Sequence, residues 1–233
     1  MSKDILRNDD QLDDLIITED SHLKLLLEDS EEEIFIKIMP SFALELVIIA
    51  KNINNNIHIE MGENSILRYR EISLNASNKT KIVMKKSADL DYRSSIIAKK
   101  DLDIYLEIIH EEENTIANIS NHIINVEASK INLQVDDHVL SQETDSKQDN
   151  KIFDLAGGTN KIKPNLIVDK DEVEANHSAY IGKFKDEDLF YLRSRGISYE
   201  EANKLLINGF LMSNMNLSNT LKGEFNNFII NNL

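Results

Sequence analysis

The sequence predicts a mainly β protein that ends in a small α-helical region. Apolar and polar residues alternate over residues 34–148, which is typical of strands with one buried face and one face in water. Polar interruptions recur roughly every 8–12 residues, a spacing shared by β-sandwiches, barrels and β-solenoids. The chain has only 7 glycines and 2 prolines, which disfavours tight hairpin turns and favours a solenoid with asparagine-rich corners.

The individual strands follow from this alternation. Ile57, Ile59 and Met61, for example, alternate with His58 and Glu60. The chain is rich in isoleucine, and β-branched side chains pack well on a pleated sheet. The candidate strands cover residues 34–38, 43–50, 57–61, 66–74, 82–84, 94–98, 102–109, 116–119, 123–126 and 131–135.

Residues 141–163 are predicted to be a polar excursion from the β region, with strand character only at residues 152–155. The pair Gly157 and Gly158 is expected to form a turn, because no phosphate-binding glycine motif surrounds it. One more candidate strand follows at residues 166–168.

Helix signals begin after this strand. Residues 186–188 place three acids where the N-terminal end of a helix favours negative charge, and Gly196 stands where a glycine commonly ends a helix. Ser198 and Glu201 have the spacing of a capping box, and Ser218 is a candidate cap for a third helix.

The chain therefore divides into an acidic lead-in over residues 1–33, a β core over residues 34–184 and a helical region over residues 185–233. The lead-in contains 12 acidic and 3 basic residues and alternates acidic clusters with short apolar stretches. We expect it to be a partly helical, loosely attached segment, or alternatively a flexible acidic tail.

The composition argues against several functions. The formal net charge is −15, and such an acidic chain repels phosphate backbones, so nucleic acid is not an expected partner. Because there is no cysteine, disulfides, thiolate metal sites and cysteine nucleophiles are excluded. No apolar run approaches the ~20 residues of a membrane helix, and the first ten residues lack the apolar region of a secretory signal. We expect a cytoplasmic protein that does not enter a membrane.

Two segments carry a resemblance to a known family. The first, residues 164–179, contains Pro-Asn-Leu-Ile-Val, then Asp-Glu-Val, then Ala-Asn-His-Ser-Ala around His177. The second, residues 188–210, contains Asp-Leu-Phe-Tyr-Leu-Arg-Ser-Arg-Gly-Ile, then Glu-Ala and Gly-Phe. Together they resemble the SufB/SufD family of iron–sulfur cluster assembly proteins. Weaker upstream matches are His110 with Thr115, and Thr144-Asp145 with Gln148.

The resemblance implies a right-handed parallel β-helix with C-terminal helices. It also implies a complex with a SufB-type scaffold and the SufC ATPase, which receives sulfur and builds a nascent iron–sulfur cluster. The chain would not be an enzyme, because the ATP chemistry belongs to SufC and no ATP-binding motif occurs here. A histidine followed by Ser178, in a chain without cysteine, resembles SufD more than SufB. Any cluster or iron would then be transient and shared with the partner, and a homodimer is the alternative pairing.

His177 is the principal candidate site residue. Neutral imidazole binds iron, and histidine can replace thiolate on a cluster iron. The family places this histidine at the face shared with the SufB-type partner. His110 is a weaker candidate metal ligand, because it closes an apolar strand and precedes Glu111, Glu112 and Glu113.

The helical signature supplies a candidate docking site for the ATPase. Arginine side chains can bind carboxylates, phosphates and carbonyls through two parallel hydrogen bonds. Bracing of the helices against the β body is the alternative role. The candidate docking residues are Phe190, Tyr191, Arg193, Arg195, Gly196 and Phe210.

Two other functions stay open. A degenerate scaffold subunit would keep the ATPase-docking end but ligate no cluster. A β-helix carbohydrate-active enzyme would need a carboxylate cluster for calcium and a basic residue in a groove. Asp136, Asp137 and Lys130 are the residues that could take those roles.

Overall fold

The chain forms fifteen strands followed by three helices in the computed structural model, which describes residues 14–233 and the backbone of residues 2–7. The strands are β1 (Ser2–Arg7), β2 (Leu15–Ile17), β3 (Ser21–Glu28), β4 (Glu33–Ile38), β5 (Ala43–Lys51), β6 (Asn56–Met61), β7 (Ile66–Leu74), β8 (Lys79–Met84), β9 (Asp89–Ala98), β10 (Leu102–His110), β11 (Ile116–Asn125), β12 (Lys130–Val139), β13 (Thr144–Asp154), β14 (Thr159–Val168) and β15 (Val173–Gly182). The helices are α1 (Asp186–Ser194), α2 (Tyr199–Ser213) and α3 (Asn219–Asn232).

Consecutive strands alternate between two parallel sheets. The odd-numbered strands form an eight-stranded sheet in the order β1-β3-β5-β7-β9-β11-β13-β15, and the even-numbered strands form a seven-stranded sheet in the order β14-β12-β10-β8-β6-β4-β2. Each turn of the chain thus adds one strand to each sheet, which is the architecture of a β-solenoid. The predicted mainly β solenoid with a helical C-terminal region is confirmed.

The length of a turn changes along the solenoid. Hydrogen-bonded equivalents in the early turns, such as Asn55 and Asn78, are 23 residues apart. Those in the last turns, such as Asn121 and Asn150, are 29 residues apart. The later turns therefore carry longer strands, most clearly in the seven-stranded sheet, where β6 has 6 residues and β12 has 10.

The corners are rich in asparagine, as expected. Asn52, Asn64 and Asn75 adopt left-handed backbone conformations with φ of 52°, 55° and 57°. Asparagine visits this region readily because its short polar side chain can hydrogen-bond locally. Asn75 Nδ2 donates to Asn52 Oδ1 at 3.0 Å, and Asn52 Nδ2 donates to Asp29 Oδ1 at 3.0 Å. This ladder joins the corners of successive turns.

The expectation of a partly helical lead-in or a flexible tail is wrong for residues 15–28, which form β2 and β3. Leu23, Leu25 and Leu27 alternate with polar or half-buried neighbours and point into the core, where each is buried. Period-2 alternation places one face of β3 inside the first turns of the solenoid. Residues 8–13 of the predicted lead-in lie outside the described residues.

The predicted polar excursion is also wrong, because residues 144–154 form β13, an eleven-residue strand. Thr144, Ser146, Gln148 and Asn150 alternate along it and point inward. The strand keeps the expected period, but polar side chains occupy its buried positions. An alternation of apolar residues could not reveal it.

The helices pack on the outer face of the eight-stranded sheet. Outward-facing Val47, Ile72, Ile97 and Ile124 join residues of α2 and α3 in a second apolar cluster. The capping box of Ser198 and Glu201, the Ser218 cap and the left-handed Gly196 at the end of α1 are confirmed. Among the described residues, no helix combines the length and apolarity that a membrane span requires.

Candidate functional site at the open end of the solenoid

The last turn of the solenoid has free strand edges. β14 ends the seven-stranded sheet and β15 ends the eight-stranded sheet, so each is paired with only one neighbour among the described strands. The outer N–H and C=O groups of such strands can pair with another chain. We call β14 and β15 the terminal rung. Four large apolar residues are exposed on it: Ile167, Val168, Tyr180 and Ile181.

His177 lies in the middle of β15, at an inward-facing position. Its register partner on β13 is Gln148, which points into the solenoid and is 4% exposed. His177 itself is exposed, because β15 is the last strand of its sheet. Within residues 14–233 its ring makes no hydrogen bond or ion pair. The sequence-predicted ligand histidine is therefore a free imidazole at the mouth of the solenoid interior.

The interior becomes polar towards this mouth. Ser94 Oγ donates to Asn121 Oδ1 at 2.6 Å, and Asn121 Nδ2 donates to Asn150 Oδ1 at 2.7 Å. Burying a polar group costs free energy of folding unless the group is hydrogen-bonded. Hydrogen bonds between polar side chains, and not aliphatic packing alone, therefore hold this part of the core together. The inward register column that contains these residues runs Leu25, Ile48, Glu71, Ser94, Asn121, Asn150 and Ala179.

Glu71 is the first polar residue of that column and is almost fully buried. Burial raises the pKa of its carboxyl group, although hydrogen bonds from Tyr69 at 2.8 Å and Ser73 at 2.9 Å oppose the shift. The ring of Tyr69 stacks on that of Tyr92, with centroids 4.3 Å apart. The carboxyl group thus holds its proton to higher pH than an exposed glutamate.

A second buried polar group lies beneath the terminal rung. His110 Nε2 is 3.2 Å from Asp137 Oδ1, and both side chains are fully buried. Asp137 Oδ2 accepts hydrogen bonds from Ser146 Oγ at 2.5 Å and from Gln148 Nε2 at 3.3 Å. The carboxylate is therefore surrounded by groups from β10 and β13, the second of which also pairs with β15.

The weak upstream matches in the sequence belong to this same group. His110 Nδ1 is 2.7 Å from Thr115 Oγ1, which is 3.3 Å from Thr144 Oγ1. Gln148, the last of these weakly matched residues, belongs to the same group because its Nε2 donates to Asp137 Oδ2 at 3.3 Å. Sequence reasoning missed Asp137 as its central residue. The signal that could have found it is the alternation of β12, in which Asp137 continues the inward series of Ile131, Leu133 and Val135.

The structure does not bring His110 together with the three glutamates that follow it. Its ring points inward, whereas Glu111, Glu112 and Glu113 are exposed and paired with Lys85 or Lys86. Across the described part of the chain, no group of three or more His, Asp or Glu side chains is arranged to hold a metal ion. His110 is a hydrogen-bonded core residue in this arrangement.

Comparisons with known proteins cover the segments that contain the weak and the strong sequence matches. The profile of the family described as "SUF system FeS cluster assembly, SufBD core domain" matches residues 50–210. That range contains most of the solenoid, the terminal rung, α1 and most of α2.

This chain belongs to the SufBD family.

Curated relatives of the SufBD chain carry both family names. It is 27% identical over 172 residues to the Escherichia coli protein named iron–sulfur cluster assembly protein SufD, covering 73% of this chain and 35% of that protein. It is 35% identical over 101 residues to the Bacillus subtilis SufD protein, covering 42% of this chain and 20% of that protein. It is 30% identical over 113 residues to the Bacillus subtilis SufB protein, covering 47% of this chain and 24% of that protein. The matched part thus spans about a third of these relatives' length or less.

The helical signature of the SufBD chain presents an exposed aromatic and cationic surface. Phe190 is 74% exposed and Tyr191 is 58% exposed. The Arg195 guanidinium lies 5.4 Å from the Tyr191 ring centroid, and that of Arg193 lies 5.9 Å from the Tyr199 ring centroid. Gly196 follows α1 with φ of 86°. We call these residues of α1 and the start of α2 the helix surface.

Phe210 does not join the helix surface. Its ring stacks against those of His122 and Phe153, with centroids 4.5 Å and 4.3 Å away. Phe210 therefore contributes to the contact between α2 and the eight-stranded sheet. Of the predicted docking residues, Tyr191 contacts Arg195 and Arg193 contacts Tyr199, whereas Phe190 and Gly196 are their neighbours in sequence.

The residues required for a carbohydrate-active enzyme are not arranged as one cluster. Asp137 is fully buried inside the solenoid, whereas Asp136 lies on the outside and accepts hydrogen bonds from Asn165 and Gln134. Adjacent strand residues point to opposite faces, so these two carboxylates cannot share one calcium ion in a groove.

Proposed function

We propose that this SufBD chain is a SufD-like, non-catalytic component of cytoplasmic SUF iron–sulfur cluster assembly. The observation that carries the proposal is the position of His177, a free imidazole on a terminal strand with one unpaired edge, at the mouth of a polar interior. The absence of cysteine and the presence of Ser178 directly after His177 support a SufD-like rather than a SufB-like role.

The terminal rung is the surface proposed to pair with a SufB-type scaffold. Its strand edges can form main-chain hydrogen bonds with another strand, and its exposed apolar residues can be buried in the same contact. Such pairing would bring a ligand of the partner next to His177. The nascent cluster or its iron is the cargo at this seam, and neutral imidazole is a competent ligand for it.

The helix surface is proposed to dock a SufC-type ATPase. Its aromatic rings are exposed beside arginine side chains, and aromatic residues with arginine are enriched at protein interfaces. The ATPase would supply the nucleotide chemistry.

Reconstitution with SufB-type and SufC-type chains tests this proposal. We expect the three chains to co-elute, and we expect His177→Ala to leave co-elution intact while lowering iron and acid-labile sulfide per complex at least several-fold. His138→Ala is the matched control. His138 faces outward from the seven-stranded sheet, near Glu107, whereas His177 lies on the eight-stranded sheet. Failure to co-elute contradicts the proposal. Intact complexes with full cluster content in His177→Ala would instead favour the degenerate scaffold.

The docking part is tested separately. Phe190→Asp and Tyr191→Asp should abolish co-elution with the SufC-type chain but retain the SufB-type chain. Ile230→Asp is the control, because Ile230 is a similarly exposed apolar residue on α3 outside the helix surface. Unchanged binding by both aromatic variants would contradict this assignment.

A further inference from the structure

We propose that Arg193 and Arg195 of the helix surface bind carboxylate groups of the docking partner. This inference rests on the proposed docking function and names the chemistry that the surface recognises. Its starting observation is that neither guanidinium makes an ion pair or donates a hydrogen bond within residues 14–233. In the solenoid, by contrast, Arg68, Arg70 and Arg93 are each ion-paired with an aspartate.

The helix that carries Arg193 lacks a cover. α1 has nine residues, and none of them is buried. A helix this short is marginal in water unless an apolar face is packed against other protein. Phe190 and Tyr191 of α1 nevertheless remain exposed. A protein surface that covers these rings would also reach the arginine in the last turn of α1.

Both guanidinium groups lie beside aromatic rings, Arg195 at Tyr191 and Arg193 at Tyr199. This contact uses the charge of the guanidinium, which is attracted to the face of the ring. It leaves the five N–H donors without a conventional acceptor, and those donors form the fork that binds a carboxylate through two parallel hydrogen bonds. The rings also restrict the two side chains, which lowers the entropy lost on binding.

The acidic residues of the same region are engaged elsewhere or lie apart. Glu200 is paired with Lys204 at 2.9 Å, and Glu201 accepts hydrogen bonds from the backbone N–H and the hydroxyl group of Ser198. The three acids of α1 are in its first turn, whereas Arg193 is in its last turn. This chain therefore supplies no carboxylate to the two arginines.

The partner must supply that carboxylate. Covering an unpaired guanidinium costs free energy unless the covering surface returns charge and hydrogen bonds to it. The surface that fits here has an apolar centre for the rings of Phe190 and Tyr191, with aspartate or glutamate side chains beside it. A basic partner surface would place like charges together at this position, although the chain as a whole has a formal charge of −15.

The experiment titrates the full chain with a purified SufC-type ATPase and measures Kd by calorimetry at low and high salt. Arg193→Glu and Arg195→Glu place a carboxylate against a carboxylate, so each should weaken binding about tenfold or more. The corresponding lysine variants keep the charge but lose the fork, so they should bind with intermediate affinity. Lys222→Glu is the matched control, because it makes the same charge change at an exposed position of α3. It should leave Kd within about twofold.

A charge exchange then identifies the carboxylate. Each acidic surface residue of the ATPase is replaced by lysine and tested against Arg193→Glu and Arg195→Glu, and one replacement should restore the affinity. A glutamate near the end of α1 also opposes the helix dipole. Arg193→Gln and Arg195→Gln, with helix content checked by circular dichroism, therefore separate the loss of charge from a loss of the helix.

Unchanged affinity in the folded glutamate and glutamine variants overturns the inference, and so does wild-type binding that does not weaken with salt. If Phe190→Asp and Tyr191→Asp still abolish binding in that case, the proposed docking stands and only the recognition of carboxylates is refuted. If the wild type does not bind the ATPase at all, the docking proposal and this inference both fail.

Discussion

Phe210 of α2 lies flat against His122 of β11, with ring centroids 4.5 Å apart and planes inclined by 1°. The Nδ1 of His122 also donates to the backbone carbonyl of Phe210 at 2.9 Å. One side chain of the sheet therefore holds both the ring and the backbone of a single helical residue. The same Phe210 ring stacks on Phe153, which contacts Tyr180 of the terminal rung at 5.6 Å between centroids.

Phe210→Ala is expected to loosen the helices from the β body. Because Phe210 is half-buried and stacks on two rings, its truncation should lower the free energy of unfolding by about 2 kcal/mol, at the lower end of the range for large-to-small core changes. Urea unfolding and proteolysis of the C-terminal helices measure this. Phe190→Ala, at an exposed position, should change stability by less than about 0.5 kcal/mol. Equal effects of the two variants would contradict the role of Phe210.

Acid should weaken the same contact through His122. Burial lowers the pKa of His122, and the nearby Lys151 and Arg93 act in the same direction, whereas the Phe210 carbonyl and Asp149 oppose them. A histidine with a depressed folded-state pKa contributes stability above its unfolded value of 6.5, and that contribution is lost as pH falls through the folded pKa. Hydrogen exchange of α2 should therefore accelerate between pH 7 and pH 5 relative to β5. In His122→Asn this pH-dependent component should be absent.

Glu71 should give the opposite pH dependence. Burial raises its folded-state pKa above the ordinary 4.5, so the folded protein binds its proton more tightly than the unfolded chain. The associated stability is present below pH 4.5 and is lost as pH rises through the folded pKa. The unfolding free energy of Glu71→Gln, compared with that of the wild type, should shift in favour of the variant between pH 5 and pH 8. A difference that is flat over this range would refute the raised pKa.

The asparagine ladder at the corners makes two separable contributions. Asn75 donates to Asn52, accepts from the backbone N–H of Lys99 at 2.8 Å, and has φ of 57°. Asn75→Gly keeps the left-handed backbone but removes the hydrogen bonds, so it should cost about 1–2 kcal/mol. Asn75→Ala should cost about 1 kcal/mol more, because alanine resists this conformation.

Chemical denaturation of the pair gives the comparison, with Asn64→Gly as the control at a more exposed left-handed corner of the early turns. The control should stay within about 0.5 kcal/mol of the wild type. If alanine and glycine at position 75 cost the same, the backbone conformation contributes nothing measurable at this corner.

Sequence patterns predicted the aliphatic part of the solenoid well, because strands such as β6 alternate Ile57, Ile59 and Met61 against polar neighbours. They also predicted the helix ends, because capping depends on local residues such as Ser198 and Glu201. These features are short-range, and their physical causes lie within a few residues.

The remaining parts depend on contacts between distant residues. β13 was missed because its inward positions are polar, and two of them, Ser146 and Gln148, donate hydrogen bonds to Asp137 of β12. The 23-residue repeat was present as asparagine pairs such as Asn52 and Asn75, but the irregular 29-residue turns later in the chain obscure it. His177 became a candidate ligand through the resemblance alone and stays a prediction, whereas the group beneath it required the fold to bring His110 and Asp137 together.

Turn length grows along the solenoid, from 23 residues in the early coils through 27 to 29 in the last ones. Each coil rests only on the coil before and the coil after it, so its opening equilibrium depends on those neighbours and little on the rest of the stack. Inward positions of the earliest coils, such as Leu25 and Ile48, are aliphatic, whereas those of the last coils, such as Asn121 and Asn150, are polar and lead to the uncovered terminal rung. Unfolding should therefore start at the long coils. A second chain bound to the terminal rung should slow the opening of these coils and leave the opening of the short coils unchanged.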